Sequence, residues 1–413
     1  MNDCLSMRQG RRAVLIALML FLATLVGYLA RMNISVALPF IAEDFGWTQG
    51  QLGELGGILL GVFLIGYGVS NVFISPLVDY FGPRRGLIVT IALSSVFTFM
   101  AGALGFIYAM ILISRILLGL SQGILFPSAS KLVQAWFPPS CRSRVNAIHL
   151  SSGFASALLA PILLLPLIMM TSWEVMFLVV AFAGFLLLIP LWKLIRDTPE
   201  GDKPFKKSSP RKLIKDTSER IREAFKIRGI LILTIAFMTV NFVWWGLSLW
   251  LPTYLQEARG FSLDEIVWAA SLPYIGGLTG MTLGAWLSDR SGKRALLTTI
   301  FVIMCALTLF LVSVTHGKWE VIVVLGVLWF FLGIAPVNVY AILQSMVPGD
   351  LMSSATGIMN GLSNGMGFVG PIIIGTAVAL TGNYDYGLVV MAFILLLGAI
   401  FFLSFRRLDN SLS

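Results

Sequence analysis

Ser75-Pro-Leu-Val-Asp79-Tyr-Phe-Gly82-Pro-Arg84-Arg85 and Ala285-Trp-Leu-Ser-Asp289-Arg290-Ser-Gly292-Lys293-Arg294 are two versions of one element: an Asp, a Gly three residues on, then a basic pair. The two Asp residues are 210 positions apart, and Gly123 and Gly333, Gln134 and Gln344, and Pro138 and Pro348 keep that same offset. Four matches at one offset, each at an equivalent point of a helix or loop, imply that the chain carries one unit twice.

Around both elements the chain is apolar. Of its 413 residues 57% are hydrophobic and only 12% charged, about half the charged share of roughly 25% in soluble domains. That excludes an ordinary soluble enzyme and a disordered protein. A membrane-spanning helix needs about 20 mostly apolar residues. Runs of that kind lie at 13–41, 52–78, 86–106, 108–133, 145–168, 173–195, 230–254, 265–287, 295–315, 319–345, 352–380 and 385–405, twelve in all. The first is not read as a signal peptide, since it is longer than an apolar h-region and carries Arg31. Placing the N-terminus inside puts 25 of the 29 Lys and Arg on the inner side, with only Arg259 and Lys318 outside and Arg31 and Arg115 within spans. The positive-inside rule then sets both termini in the cytoplasm. Most of the net charge of +9 is therefore topology and does not indicate nucleic acid. Cys4, Cys141 and Cys305 lie far apart without metal or redox spacing and are expected to be free thiols.

The expected fold is an all-α integral membrane protein of twelve transmembrane helices in two six-helix bundles. The first bundle covers 1–195 and the second 230–413, with a basic cytoplasmic linker at 196–229. The linker holds eleven basic and six acidic residues and three Pro, and 213–225 is expected to form an amphipathic surface helix. Parallel repeats of this kind, with a site between them at mid-membrane, describe a secondary transporter that rocks around a central site. No metal cluster, nucleophile with a base, or phosphate-cradling glycine loop supports an enzyme or a cofactor.

Charges inside spans are costly, at least about 2.5–3.5 kcal/mol on insertion scales, and are functional candidates by default. Arg31 follows eighteen residues without a charge, and Tyr28 lies one turn before it on the same face. It reads as an anion-binding cation or as a structural Arg. Arg115 opens Arg115-Ile-Leu-Leu-Gly119-Leu-Ser-Gln122-Gly123, whose glycines allow close helix approach. Arg115 and His149 are candidates for coupling or for structure. No Asp or Glu falls in the middle of a span. Neutral polar candidates for a substrate site are Tyr67, Gln122, Asn241, Trp244, Tyr274, Asn360 and Asn364, beside Asn71, Trp245, Asn338, Tyr340, Gln344 and Ser363. Asn360, Ser363 and Asn364 share one helical face. In the duplicated element an acidic residue at a helix end can hold an Arg or a helix N-terminus in one conformation. Asp79, Arg84, Arg85, Asp289, Arg290 and Arg294 thus read as a gate latch.

The element resembles the G-x-L-x-D-R-x-G-R-R signature of the major facilitator superfamily, with Ser75 and Tyr80 departing from it in the first copy. Within that superfamily the chain looks like the anion:cation symporter family. Tyr28-Leu-Ala-Arg31-Met-Asn-Ile-Ser-Val-Ala-Leu-Pro39, Tyr67, Phe126-Pro127, Trp136-Phe-Pro138, and Trp250-Leu-Pro-Thr-Tyr-Leu-Gln-Glu-Ala-Arg259-Gly, placed after the seventh helix, carry the likeness. The resemblance implies a secondary active transporter of small organic anions, sugar acids, hydroxy acids or sulfonates, in the inner membrane, with Arg31, Tyr28 and Tyr67 contacting the substrate. The partners it implies are that anion, a co-transported or exchanged ion and the lipid bilayer, with the protein acting as a monomer. Two departures bear on coupling. Hexonate-proton symporters of the family carry an Asp before the helix 1 Arg and a Glu seven residues after the helix 4 Arg; here these are Ala30 and Gln122. The alternative is an exchanger or uniporter without proton coupling, including antiport of the organophosphate:phosphate kind. Those antiporters bring a second Arg from helix 7, at the position aligned with Trp244.

Overall fold

The computed structural model describes residues 10–74, 78–137, 139–199, 201, 210–291, 293–348 and 351–405. Twelve helices are long and apolar enough to cross a membrane: α1 Arg12–Asp44, α2 Gln49–Ile74, α3 Pro83–Ala103, α4 Tyr108–Trp136, α5 Ser151–Met170, α6 Trp173–Leu194, α7 Ile230–Glu257, α8 Leu263–Gly284, α9 Arg294–Val314, α10 Lys318–Leu343, α11 Ser354–Thr381 and α12 Asp385–Leu403. Backbone groups cannot bond to water inside a bilayer, so the chain crosses as helices that satisfy them internally. An even number of crossings returns both ends of the described chain to one face, called the terminal face below.

The two sets of six pack alike. α1 lies on α5, α2 on α4 and α3 on α6; in the same way α7 lies on α11, α8 on α10 and α9 on α12. Between the sets, α2 runs along α11, α1 meets α7, and α5 meets α8. Lipid tails supply no hydrophobic drive for helix association, so small residues that bring backbones together take over. A Cβ at Gly68 would sit 2.5 Å from the Gly365 Cα, and one at Gly57 3.1 Å from the Pro371 carbonyl oxygen. The α2–α11 seam is therefore backbone against backbone along much of its length.

Two details differ from the sequence reading. The stretch from Trp250 to Glu257 lies inside α7 and not after it. Trp250 Nε1 donates to the Pro371 carbonyl at 2.9 Å, and Trp250 and Tyr254 both pack on Tyr384. The burial of this segment carries the helix past Pro252. The linker helix spans Pro210–Phe225, three residues longer than expected at its start, and packs on the beginning of α11. Cys305 is a free, buried thiol; Cys4, the linker residues 202–209 and Arg406 and Arg407 lie outside the described residues, as does the side chain of Cys141.

α2 and α4 are irregular next to the interior. α2 contains two π-helical turns, Leu52–Gly56 and Ser70–Ile74, and α4 breaks at Gly123 and Ile124 after Gln122. Such turns concentrate near functional sites because they re-aim side chains.

Candidate functional site

Arg31 sits halfway along α1 and is 1% exposed. Four rings surround its guanidinium, whose carbon lies 4.4 Å from the centroid of Tyr28, 4.6 Å from Tyr67, 5.2 Å from Phe63 and 5.9 Å from Phe126. Aromatic faces attract a cation without neutralising it. Among the described residues, the one side-chain hydrogen bond on the guanidinium is from Nε to Gln122 Oε1. Nη2 is buried and has no partner. Among the described residues no carboxylate lies on this desolvated guanidinium edge, and chemically such an edge can receive an anion, because buried donors are otherwise satisfied.

Arg115 plays a different part. Its Nη1 donates to the Ala30 carbonyl at 2.8 Å and to Asn33 Oδ1 at 3.2 Å, and its Nη2 donates to the Arg31 carbonyl at 2.8 Å. Arg115 thus clamps the α1 backbone at the residue that carries the unpartnered edge. Gln122, expected to touch substrate, is engaged at both ends: it accepts from Arg31 and donates from Nε2 to the Gly27 carbonyl at 3.0 Å. It orients Arg31. His149 lies before α5 proper, in the helix Pro139–Met170. Thr24 Oγ1 donates to the Leu20 carbonyl and so accepts from His149 Nδ1 at 2.7 Å. The imidazole is thus buried and hydrogen-bonded against α1.

Toward the terminal face, amides join the halves. Asn360 Nδ2 on α11 donates to Asn71 Oδ1 on α2 at 3.2 Å, and Tyr340 of α10 donates to Asn360 Oδ1 at 3.0 Å. Asn364 Nδ2 donates to Asn360 Oδ1 at 2.9 Å, and Asn364 Oδ1 accepts from Trp245 Nε1 at 2.9 Å. Asn71 is one turn beyond Tyr67, so one face of α2 carries both a ring on Arg31 and a bridge to α11. Toward the opposite face, Ser35, one turn from Arg31, donates to the Leu249 carbonyl of α7 at 2.7 Å. Gln49 Nε2 donates to the Gly382 carbonyl at 3.3 Å. Arg31 thus lies between contacts that join the halves on either side.

The second half contributes rings and amides. Asn241 is buried, as is Tyr274, whose ring lies 4.6 Å from Trp329. Trp244 packs edge-on against Trp329 at 4.9 Å and against Phe154 of α5 at 4.9 Å. The sequence reading missed Phe63, Phe154 and Trp329, because a lone ring in an apolar helix gives no signal of the face it occupies. Phe63, one turn before Tyr67, was the most traceable of them.

The duplicated loops are only partly described, and the side chains of Asp79 and Asp289 lie outside the described residues. Arg84 turns toward its own half. Its backbone N–H donates to Asp197 Oδ1 at 2.9 Å and its Nη2 to the Trp192 carbonyl at 2.6 Å. Gly82, at φ +83°, holds the N-cap of the helix Pro83–Ala103, and a Cβ there would meet the Asp197 carboxylate at 2.9 Å. Asp197, 2% exposed, complements that helix N-terminus. It follows α6 in the sequence, where nothing marks it as a cap for α3. Arg290 lies 5.4 Å over the Trp286 ring, and Arg294 begins α9.

A family model described as Major Facilitator Superfamily matches residues 20–371. The sequence is 29% identical over 386 residues to the hexuronate transporter of Bacillus subtilis, covering 90% of this chain and 89% of that protein. It is 28% identical over 401 residues to a probable sulfoacetate transporter of Cupriavidus necator, covering 91% and 89%. It is 25% identical over 422 residues to a probable galactarate/D-glucarate transporter of Bacillus subtilis, covering 93% and 92%. Among solved structures, a bacterial homolog of the human lysosomal transporter Spinster, inward-facing and unoccupied, superposes with a TM-score of 0.75 at 17% identity over 97% of this chain and 98% of the other. The D-xylose-proton symporter does so with a TM-score of 0.73 at 16% identity over 94% and 97%.

Proposed function

This chain belongs to the Major Facilitator Superfamily, a family of multi-pass membrane transporters and not of enzymes, and from that premise we propose that it carries small organic anions across the cytoplasmic membrane by alternating access. The observation that carries the proposal is the buried Arg31 edge, ringed by Tyr28, Tyr67, Phe63 and Phe126 and, among the described residues, left without an acidic partner. The names of the relatives, hexuronate, sulfoacetate and galactarate/D-glucarate transporters, support an organic anion. Since Arg115 spends its guanidinium on the α1 backbone, one cation remains for substrate, which favours one carboxylate or sulfonate over a phosphate dianion.

The first and last spans place both termini in the cytoplasm on this reading, and the units 1–195 and 230–413 are the moving bundles. The terminal face is then the cytoplasmic one. The Asn71–Asn360–Tyr340 bridge closes that side and the Ser35 and Gln49 bonds close the outer side. Asp79, Arg84, Arg85, Asp289, Arg290 and Arg294 form the cytoplasmic gate, with Arg84 and Asp197 bracing its first half. Binding replaces a missing partner at Arg31. The anion pulls on a guanidinium already in contact with Tyr67, and Tyr67 shares its helical face with Asn71, so occupancy bears on the inner bridge.

A second reading, exchange or uniport without proton coupling, is favoured by the position of the acidic residues. All twenty lie in loops or near helix ends, and His149 is held by Thr24. Proteoliposomes test both. An anion that accumulates with an inward pH gradient and no internal substrate, and is lost on adding a protonophore, identifies symport. Uptake that requires internal anion identifies exchange. Arg31→Gln abolishes uptake in either case, and normal uptake by that variant overturns the proposal.

A further inference from the structure

Among the described residues the second half holds three N–H donors that the fold does not use: Asn338 Nδ2 on α10 and two others, one on α7 and one on α10. Asn241 Nδ2 on α7 and Trp329 Nε1 on α10 are buried without a hydrogen-bond partner; Asn241 is 6% exposed and Trp329 0%. Buried polar groups are as a rule satisfied, so an orphan donor in a native interior calls for an explanation. The two are linked. Asn241, Trp244, Trp245 and Ser248 fall on one stripe of α7 at helical spacing, and Trp244 packs edge-on against Trp329. Trp244 also meets Phe154 of the first half, whereas Trp245 of the same stripe turns to Asn364 of its own half. Gly153, next to Phe154, lies against the Tyr28 ring, where a Cβ would come 3.3 Å from Cζ. Tyr28 in turn covers Arg31. An unbroken run of contacts leads from the guanidinium to the orphan indole.

The chemistry of the far end follows from what lines it. An indole N–H is a donor only, and the unpartnered Asn241 nitrogen is a donor as well. Neither is charged. A second carboxylate placed there loses its water without gaining a counter-charge, which is costly. Neutral hydroxyl or carbonyl oxygens accept from such donors without that penalty, and the rings of Trp244, Trp329 and Phe154 offer apolar faces to a carbon skeleton.

We propose that Asn241 and Trp329 form a specificity subsite for the end of the substrate remote from its anionic group. The class selected is monoanions that carry neutral oxygens at the far end, in preference to plain alkyl acids and to diacids. The proposal rests on Arg31 as the anion anchor, and the test separates the two.

Calorimetry on the purified protein with gluconate, hexanoate and glucarate compares six-carbon acids that differ in hydroxyls and in charge. The wild type is expected to bind gluconate more tightly than the other two. Trp329→Phe keeps a ring and removes the N–H, and Asn241→Leu keeps the volume and removes the amide. Each is expected to weaken gluconate by about ten-fold and to leave hexanoate unchanged, so hexanoate also reports that the variant is folded. Equal loss for both acids, or no loss for gluconate in either variant, overturns the subsite, as does a wild type that binds none of the three or prefers hexanoate or glucarate. Arg31→Gln reads the anchor alone: loss of all three acids supports it. Retention of all three overturns it whatever the other variants do, and the subsite with it.

Discussion

The two halves of the molecule share a frame and differ in what they place inside it. Their helices pack in the same pairs, yet the charges set deep in the spans, Arg31 and Arg115, both belong to the first half. At 210 positions on from Arg31 stands Asn241; from Arg115, Leu325; from Gln122, Leu332; and from Gly119, Trp329. Gly119 is forced by close approach, because a Cβ there would collide with the Phe63 carbonyl of α2. Its counterpart, Trp329, instead fills the interior with a ring. Duplication preserved the packing and let the interior diverge. On the proposed function, one half grips charge and the other reads shape and hydrogen bonding.

The largest test of that division is Arg31→Gln. Losing a charged donor from a dry site costs at least about 3 kcal/mol of binding, or some hundred-fold in Kd, measured by calorimetry. A variant that still binds with wild-type affinity breaks the comparison. Arg115→Leu is next and acts on stability. It strands the carbonyls of Ala30 and Arg31 and is expected to cost about 2–3 kcal/mol, seen as a lower melting temperature. The affinity of the folded protein should fall far less than in Arg31→Gln. Equal losses of affinity would make Arg115 a second anchor and erase the distinction drawn between the two arginines. Gly119→Leu tests the packing side and should cost about 1–3 kcal/mol as α2 is pushed off α4. If it is neutral in a thermal melt, the claim that the first half is held backbone to backbone fails. The smallest effect belongs to the inner bridge. Asn360→Leu removes one neutral hydrogen bond between halves, about 1 kcal/mol, and should raise the share of the open state roughly five-fold. A reporter cysteine at Gly357, where a Cβ has room with its nearest neighbour 3.8 Å away, should then react faster with a membrane-impermeant maleimide. An unchanged rate removes the bridge from the gate.

Much of this was legible in the sequence because the membrane makes it so. Apolar runs cannot hide, and a charge such as Arg31 within one is conspicuous for the same reason. The paired elements at Asp79 and Asp289 carried the repeat. What stayed illegible depends on facing. Nothing in the order of residues says that Arg115 points at α1 carbonyls, or that both ends of Gln122 are taken. Nothing there says that Asp197, after α6, caps α3. Nothing in the sequence sets Trp329 and Phe154 apart from the other rings of the apolar spans. Residue type announces burial and charge, whereas a role at a shared interior depends on helix rotation, and twelve helices must be placed before any one rotation is known.

The bare edge of Arg31 also has an electrical meaning. A unit charge crossing a membrane potential does work of about 2.3 kcal/mol per 100 mV. In the proposed transporter the empty protein presents both arginines to that voltage, while an anion seated on Arg31 cancels one of them. Occupancy thus halves the charge on which the field can pull, and membrane voltage should distinguish the return of the empty protein from the passage of the loaded one.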